Sequence, residues 1–143
     1  MTRADTDVIY RIIDANLNRL REALRVIEEY FRFIQTNESI AVDLKLLRHS
    51  IEELDTGFTR EHLLASRDTE TDPFAYTTRE EELSRRGVTD ILTAGFKRSQ
   101  EAARVLEEYS KVSDKPLLSD RAKQIRFSLY RLEKRILEQS TDG

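Results

Sequence analysis

Residues 14–33 read DANLNRLREALRVIEEYFRF, and residues 93–112 read TAGFKRSQEAARVLEEYSKV. At an offset of 79, nine of the 20 positions are identical: Ala15/Ala94, Arg19/Arg98, Glu22/Glu101, Ala23/Ala102, Arg25/Arg104, Val26/Val105, Glu28/Glu107, Glu29/Glu108 and Tyr30/Tyr109. Five of the nine are charged. A solvated helix needs charge somewhere, but it does not need arginine or glutamate at each chosen position. The repeat therefore marks a specific polar face.

A second echo follows each copy: LRHSI at 47–51 resembles IRFSL at 125–129. The repeated unit is a helical hairpin, and two copies fall short of the three or so that a solenoid needs. The expected fold is all-α: a helical bundle built from two pseudo-twofold-related long helical hairpins plus short connecting helices. One domain is expected over 1–143, with a first unit at about 7–56, a connecting segment at about 57–87 and a second unit at about 88–138.

The periodicity predicts a first helix over 6–35, since Leu17, Leu20, Leu24, Ile27, Phe31 and Ile34 recur at helical spacing. Thr36-Asn37 interrupts it and supplies a cap for a helix over 38–54 ending near Gly57. A short helix is expected after Thr59. The run RDTETDPFAYT at 67–77 reads as irregular because of Pro73 and its Asp/Thr content. Thr78 with Glu81 fits a capping box for a short helix to about Arg86. Long helices are predicted from after Gly87 to before Ser113, and over 118–137 with a frayed tail. No stretch alternates as a strand.

Composition narrows the function. The chain has 143 residues, 36% of them charged, and a net charge of −3, which argues against a nucleic-acid partner. It has no cysteine, which excludes thiol catalysis and thiolate metal sites. No apolar run approaches the ~20 residues of a membrane span. The start, MTRADTDVIY, lacks the apolar core of a signal peptide. A cytoplasmic protein with no membrane partner is the expectation.

Arg19, Glu22, Ala23, Val26, Glu29 and Tyr30 fall on one side of the first helix, at about 100° per residue. The leucine stripe lies elsewhere and is not repeated: Leu20, Leu24 and Phe31 become Ser99, Ala103 and Ser110. The shared faces are thus expected to meet or to line one cleft. Two other readings compete. Arg and Glu at this spacing also form solvent-exposed helix pairs, and they build buried ion-pair networks that specify packing.

Familiar catalytic signatures are missing. There is no glycine-rich phosphate loop. His49 and His62 have no metal-ligand spacing, and His49 reads as a half-buried packing residue. What remains is a supply of arginines suited to phosphate and a loop, Arg67-Asp68-Thr69-Glu70-Thr71-Asp72, that offers an Arg for phosphate and two Asp for Mg²⁺. Lys97 stands opposite Asn18 in the repeat, and Asn16 opposite Gly95, so both break the internal symmetry.

The segments RIIDANLNRLREALRVIEEYFRF, LRHSI, SRDTETD, AGFKRSQEAARVLEEYSK and IRFSLYRLEK, in that order, resemble an atypical, all-helical hydroxymethylpyrimidine phosphate kinase family, which occurs alone or fused in front of thiamin phosphate synthase. The resemblance covers about residues 8–137. It implies transfer of a phosphoryl group from ATP, with Mg²⁺, to the monophosphate of hydroxymethylpyrimidine, giving a diphosphate for thiamin biosynthesis. Carried over to matching positions, it implies catalytic roles for Lys97, Arg98 and Arg19, and substrate contacts for Asn16, Glu22, Arg48 and Glu101. On the nucleotide side it implies Arg67, with Asp68 on the metal; the loop's own residues add Thr69 on the nucleotide side and Asp72 as a second metal ligand. Gly95 and Phe74 depart from the family pattern of Asn and a small residue. The alternative is a non-catalytic helical module that docks or dimerises with a thiamin phosphate synthase domain, and a homo-oligomer is compatible with either.

Overall fold

Why the first helix is so long is visible at its start. In the computed structural model, which describes residues 2–76 and 84–141, Thr2 and Asp5 form a reciprocal capping box at the head of α1 (Arg3–Glu29). The helix then widens into a π-helical turn over Tyr30–Ile34. Asn37 caps α2 (Glu38–Gly57), its side chain accepting from the Ile40 amide. After α3 (Arg60–Ser66) the chain is irregular to residue 76. It resumes as α4 (Val88–Ser110) and α5 (Leu118–Thr141). Among the described residues there are five α-helices and no strand. The all-α expectation holds.

Two boundaries differ from the sequence reading. The last helix runs on to Thr141 instead of fraying after Leu137. Residues 84–87 are not helical; the rest of the helix expected from Thr78 lies outside the described residues.

α1 packs most extensively on α4, and α4 on α5. Two contacts fix the direction of the first pair. Tyr10, near the start of α1, donates to Asp114 Oδ1, beyond the end of α4, at 2.6 Å. Gly95, near the start of α4, lies against Ile27, near the end of α1, where a Cβ on the glycine would come within 3.0 Å of Ile27 Cγ1. The two helices are therefore antiparallel, and glycine lets them approach closely at this crossing.

The unrepeated stripe is core in both copies. Leu20, Leu24 and Phe31 are buried, and so are Ser99, Ala103 and Ser110. Serine is tolerated there because each hydroxyl bonds a carbonyl of its own helix, Ser99 to Phe96 and Ser110 to Leu106. Small residues on α4 thus make room for α5, where large ones on α1 fill the space themselves.

The repeated charges answer one of the competing readings. Arg48 donates to Glu28 at 3.1 Å, and Arg126 donates to Glu107 at 2.9 Å. These are equivalent positions in the two units. Arg25 reaches Glu28 and Glu29, and Arg104 reaches Glu107 and Glu108. An Arg–Glu network is repeated as a unit and ties each long helix to the next helix of its hairpin.

His49 departs from its expected half-buried packing. His49 is exposed and, among the described residues, pairs with Glu52 at 3.7 Å. His62 is the packed one: it stacks on Tyr10 at a centroid distance of 3.7 Å. Burial, then the hydrogen bond to Asp114, pushes the Tyr10 hydroxyl well above the ordinary tyrosine range. A raised folded-state pKa favours the protonated form, so this contribution is complete below the unfolded value of about 10 and is lost as pH rises above it. Alkaline unfolding followed by circular dichroism should steepen above about pH 10 in the native chain, and Tyr10→Phe should remove most of that slope. Equal slopes in the two proteins would show that the pair does not couple to folding.

Candidate functional site

Four repeated pairs come together on one surface. Arg19, Glu22, Ala23 and Val26 from α1 and Arg98, Glu101, Ala102 and Val105 from α4 line a single cleft of about 890 Å³. This volume lies within the range usual for small-molecule sites. Of the face singled out from the sequence, Glu29 and Tyr30 do not reach it.

Alanines, valines, Ile91 and Gly95 share the lining with the charged side chains. The antiparallel register sets Arg19 level with Glu101 and Glu22 level with Arg98, within about one turn. Arg19 accepts positioning from Asn16: the buried asparagine donates to the Ile12 carbonyl at 2.9 Å and its Oδ1 receives Arg19 Nη1 at 3.4 Å. Among the described residues, Glu22, Arg98 and Glu101 make no hydrogen bond or ion pair within the chain. Two guanidiniums and two carboxylates thus face one space without being spent on each other.

Arg48 does not line this cleft. It lies in an adjoining groove of about 340 Å³ with Arg21, Arg25, Glu28 and Glu52, and Glu22 is common to groove and cleft. Lys97 is exposed and also falls outside the cleft lining. One residue on from it along α4, about 100° round the helix, Arg98 faces the cleft.

The loop after α3 is anchored at the cleft's end of α1. Arg67 donates through Nε and Nη2 to both oxygens of Asp14, at 2.8 and 2.9 Å, and Asp14 is only 5% exposed. Arg11 adds a bond to the Ser66 carbonyl at 3.0 Å. The loop then reaches the cleft itself: Ala75, and Arg85 from the start of the next described segment, are among its lining residues.

The acids of this loop are held in turns. The Thr71 hydroxyl and amide both donate to Asp68 and keep its carboxyl below the ordinary range. Asp72 accepts from the Phe74 amide at 2.9 Å. Thr69 is exposed. Among the described residues no three His, Asp or Glu side chains cluster as a metal site.

Asp14, Ala75 and Arg85 escaped the sequence reading. Asp14 carried a signal, since it opens the DAN motif, but its partner is 53 residues away. Ala75 and Arg85 carried none.

Residues 11–135 match the ThiD2 family. The chain belongs to that family. Among curated proteins, this ThiD2 chain is 42% identical over 130 residues to the thiamine-phosphate synthase of Nostoc punctiforme, covering 91% of the chain and 36% of that protein. It is 40% identical over 137 residues to the enzyme of that name from Synechocystis, covering 96% and 38%. For the one from Thermosynechococcus vestitus the figures are 43% over 123 residues, 86% and 34%. The ThiD2 chain thus spans about a third of the length of the curated relatives it matches. These relatives associate it with thiamin biosynthesis. No solved structure matches it. Among the described residues, no helix is long and apolar enough to cross a membrane.

Proposed function

We propose that this chain is a kinase that moves the terminal phosphoryl group of ATP onto hydroxymethylpyrimidine monophosphate, giving the diphosphate used in thiamin biosynthesis. The observation that carries the reading is the cleft between α1 and α4, where Arg19, Arg98, Glu22 and Glu101 face one small-molecule-sized space. The name of the relatives fits it: a segment shared with thiamine-phosphate synthases would supply a pyrimidine diphosphate to them.

The chemistry asks little covalent help of the protein. The nucleophile is an oxygen of the acceptor phosphate, whose second pKa of about 6 leaves it largely dianionic at pH 7. No side chain has to remove a proton, which agrees with a cleft that no histidine lines. A new bond joins that oxygen to the γ-phosphorus, the bridging bond between the β- and γ-phosphates breaks, and ADP leaves with the electron pair. Arg19 and Arg98, entering from opposite walls, hold the two reacting phosphates in line and offset the charge spread over the transferring group. Asn16 keeps Arg19 in place. Glu22 and Glu101 accept from the amino group of the pyrimidine, and Lys97 adds positive charge beside Arg98. Arg67, held by Asp14, sets the course of the loop toward the cleft. Mg²⁺, when bound, neutralises the nucleotide phosphates.

One observation favours a second reading, a docking module for the remaining two thirds of a synthase. Val42 and Leu46 stand four residues apart on α2 and are 53% and 60% exposed. The deciding experiment is incubation of the chain alone with ATP, Mg²⁺ and the pyrimidine monophosphate. Formation of the diphosphate supports the kinase. Its absence, with full activity appearing only in a synthase joined to this segment, supports docking.

A further inference from the structure

A second pocket, of about 570 Å³, opens where the π-helical turn leaves α1 and α2 begins. It shares no residue with the α1–α4 cleft. Phe31, Ala41 and Leu44 give it an apolar lining, and Lys45 and His49 stand among its polar residues. Glu28 also lines it. The Oε2 of that carboxylate pairs with Arg48 and Arg25, while its Oε1 is buried and, among the described residues, has no hydrogen-bond partner. Such an orphaned acceptor is costly unless a donor arrives.

The pocket is not isolated. The groove of Arg21, Arg25 and Arg48 shares Glu28, Arg48 and Glu52 with the pocket, and it shares Glu22 with the cleft. Glu28 and Glu22 are six residues apart on one helix, or about 9 Å along its axis. Pocket, groove and cleft therefore form one course: apolar at one end, lined with guanidiniums in the middle, and ending at Arg19 and Arg98. The three groove arginines pair with carboxylates, yet their side chains stay 38%, 58% and 48% exposed. Each keeps further N–H donors for phosphate oxygens.

Comparison of the two repeat units sharpens the point. In the second unit the positions of His49 and Glu52 carry Phe127 and Tyr130, whose rings lie against Arg126 at 4.7 and 5.8 Å. Aromatic rings there occupy the space over the arginine. In the first unit the same arginine position is left open.

We propose that this pocket receives the base of the donor nucleotide, with the polyphosphate lying along Arg21, Arg25 and Arg48 so that its terminal phosphate enters the cleft. The inference rests on the kinase reading and names the donor half of that site. An aminopurine suits the pocket: its flat faces fit against the exposed Ala41 and the aliphatic stem of Lys45, and its exocyclic amino group supplies the donor that Glu28 lacks. Ala41 is exposed, so a larger side chain there fills the pocket without entering the core.

The test measures binding of ATP and of inorganic tripolyphosphate, each with Mg²⁺, to the native chain and to Ala41→Trp, together with steady-state kinetics. The expected result is a KM and a Kd for ATP raised about tenfold or more in the variant. Tripolyphosphate, which has no base, should bind both proteins alike, and KM for the pyrimidine monophosphate should hold within about twofold. If Ala41→Trp melts early, Thr36→Trp, at another exposed position of the pocket, replaces it. Unchanged ATP affinity in a folded variant overturns the proposal, as does an equal loss of ATP and tripolyphosphate. A native chain that transfers no phosphoryl group would instead count against the kinase itself.

Discussion

Replacing Arg98 with alanine is expected to lower kcat by about a hundredfold to a thousandfold, the range seen when one preorganised donor to a developing charge is removed. Arg98 stands in the wall of the α1–α4 cleft and makes no bond within the chain among the described residues, so its charge is available to a phosphoryl group. The same fact predicts that little stability goes with it, and the melting temperature should move by no more than a few degrees. Arg19→Ala should act in the same direction and also release Asn16, whose side chain is buried. Steady-state kinetics beside thermal melts separate these effects. An Arg98→Ala protein with kcat within about threefold of native would remove the arginine from the reaction.

Replacing Arg126 should do the reverse: large loss of stability, small direct effect on chemistry. Its side chain is 11% exposed and that of Glu107 only 7%. Truncation leaves a buried carboxylate with Arg104 at 3.8 Å as its remaining cation, and breaking a buried pair from one side costs about 3 kcal/mol or more. In a domain of this size that is a fall of about 10 °C in melting temperature. The equivalent change in the first unit, Arg48→Ala, removes a side chain that is 48% exposed. An exposed pair contributes about 1 kcal/mol or less. The two melts should therefore differ, although the sequence writes the two pairs alike. Equal losses would mean that burial does not set their worth.

That contrast shows how far the sequence could be read. The repeat exposed Arg19/Arg98, Glu22/Glu101, Ala23/Ala102 and Val26/Val105 because a helix converts spacing into a face, and all eight line one cleft. It also kept Arg25/Arg104 and Glu28/Glu107. Cleft lining and structural ion-pair network had looked like rival explanations of the repeated charges. Both hold, divided between faces: Glu28 lies about half a turn from Arg19. Spacing alone could not make the division, since identity is the same on both faces and only the packed neighbours differ. Lys97 shows the reverse difficulty. Its asymmetry in the repeat drew attention, but a step of one residue turns a side chain away from the wall that its neighbour lines. Asp14 with Arg67 joins residues 53 positions apart, and no local pattern reports such a bond. The packing of His62 has the same cause: Tyr10, far away in the chain, offers it a ring.

The chain passes from one wall of the cleft to the other once, between Ser66 and Val88. Each long helix is stapled to the next helix of its own hairpin by that unit's Arg–Glu pair, Arg48 with Glu28 and Arg126 with Glu107, while Arg121 with Glu53 and Arg135 with Asp43 join α5 to α2 across the units. The protein thus behaves, in its architecture, as two subunits on one string. Cleaving the string leaves two fragments, each carrying half of the cleft and most of its own staples, and their recombination in solution would rebuild the site without a peptide bond between them. A cleft assembled this way begins with equal halves. Single-sided differences such as Asn16 against Gly95 make the halves unequal, and on the proposed kinase reading a handful of them in one half would be enough to tell a donor from an acceptor phosphate.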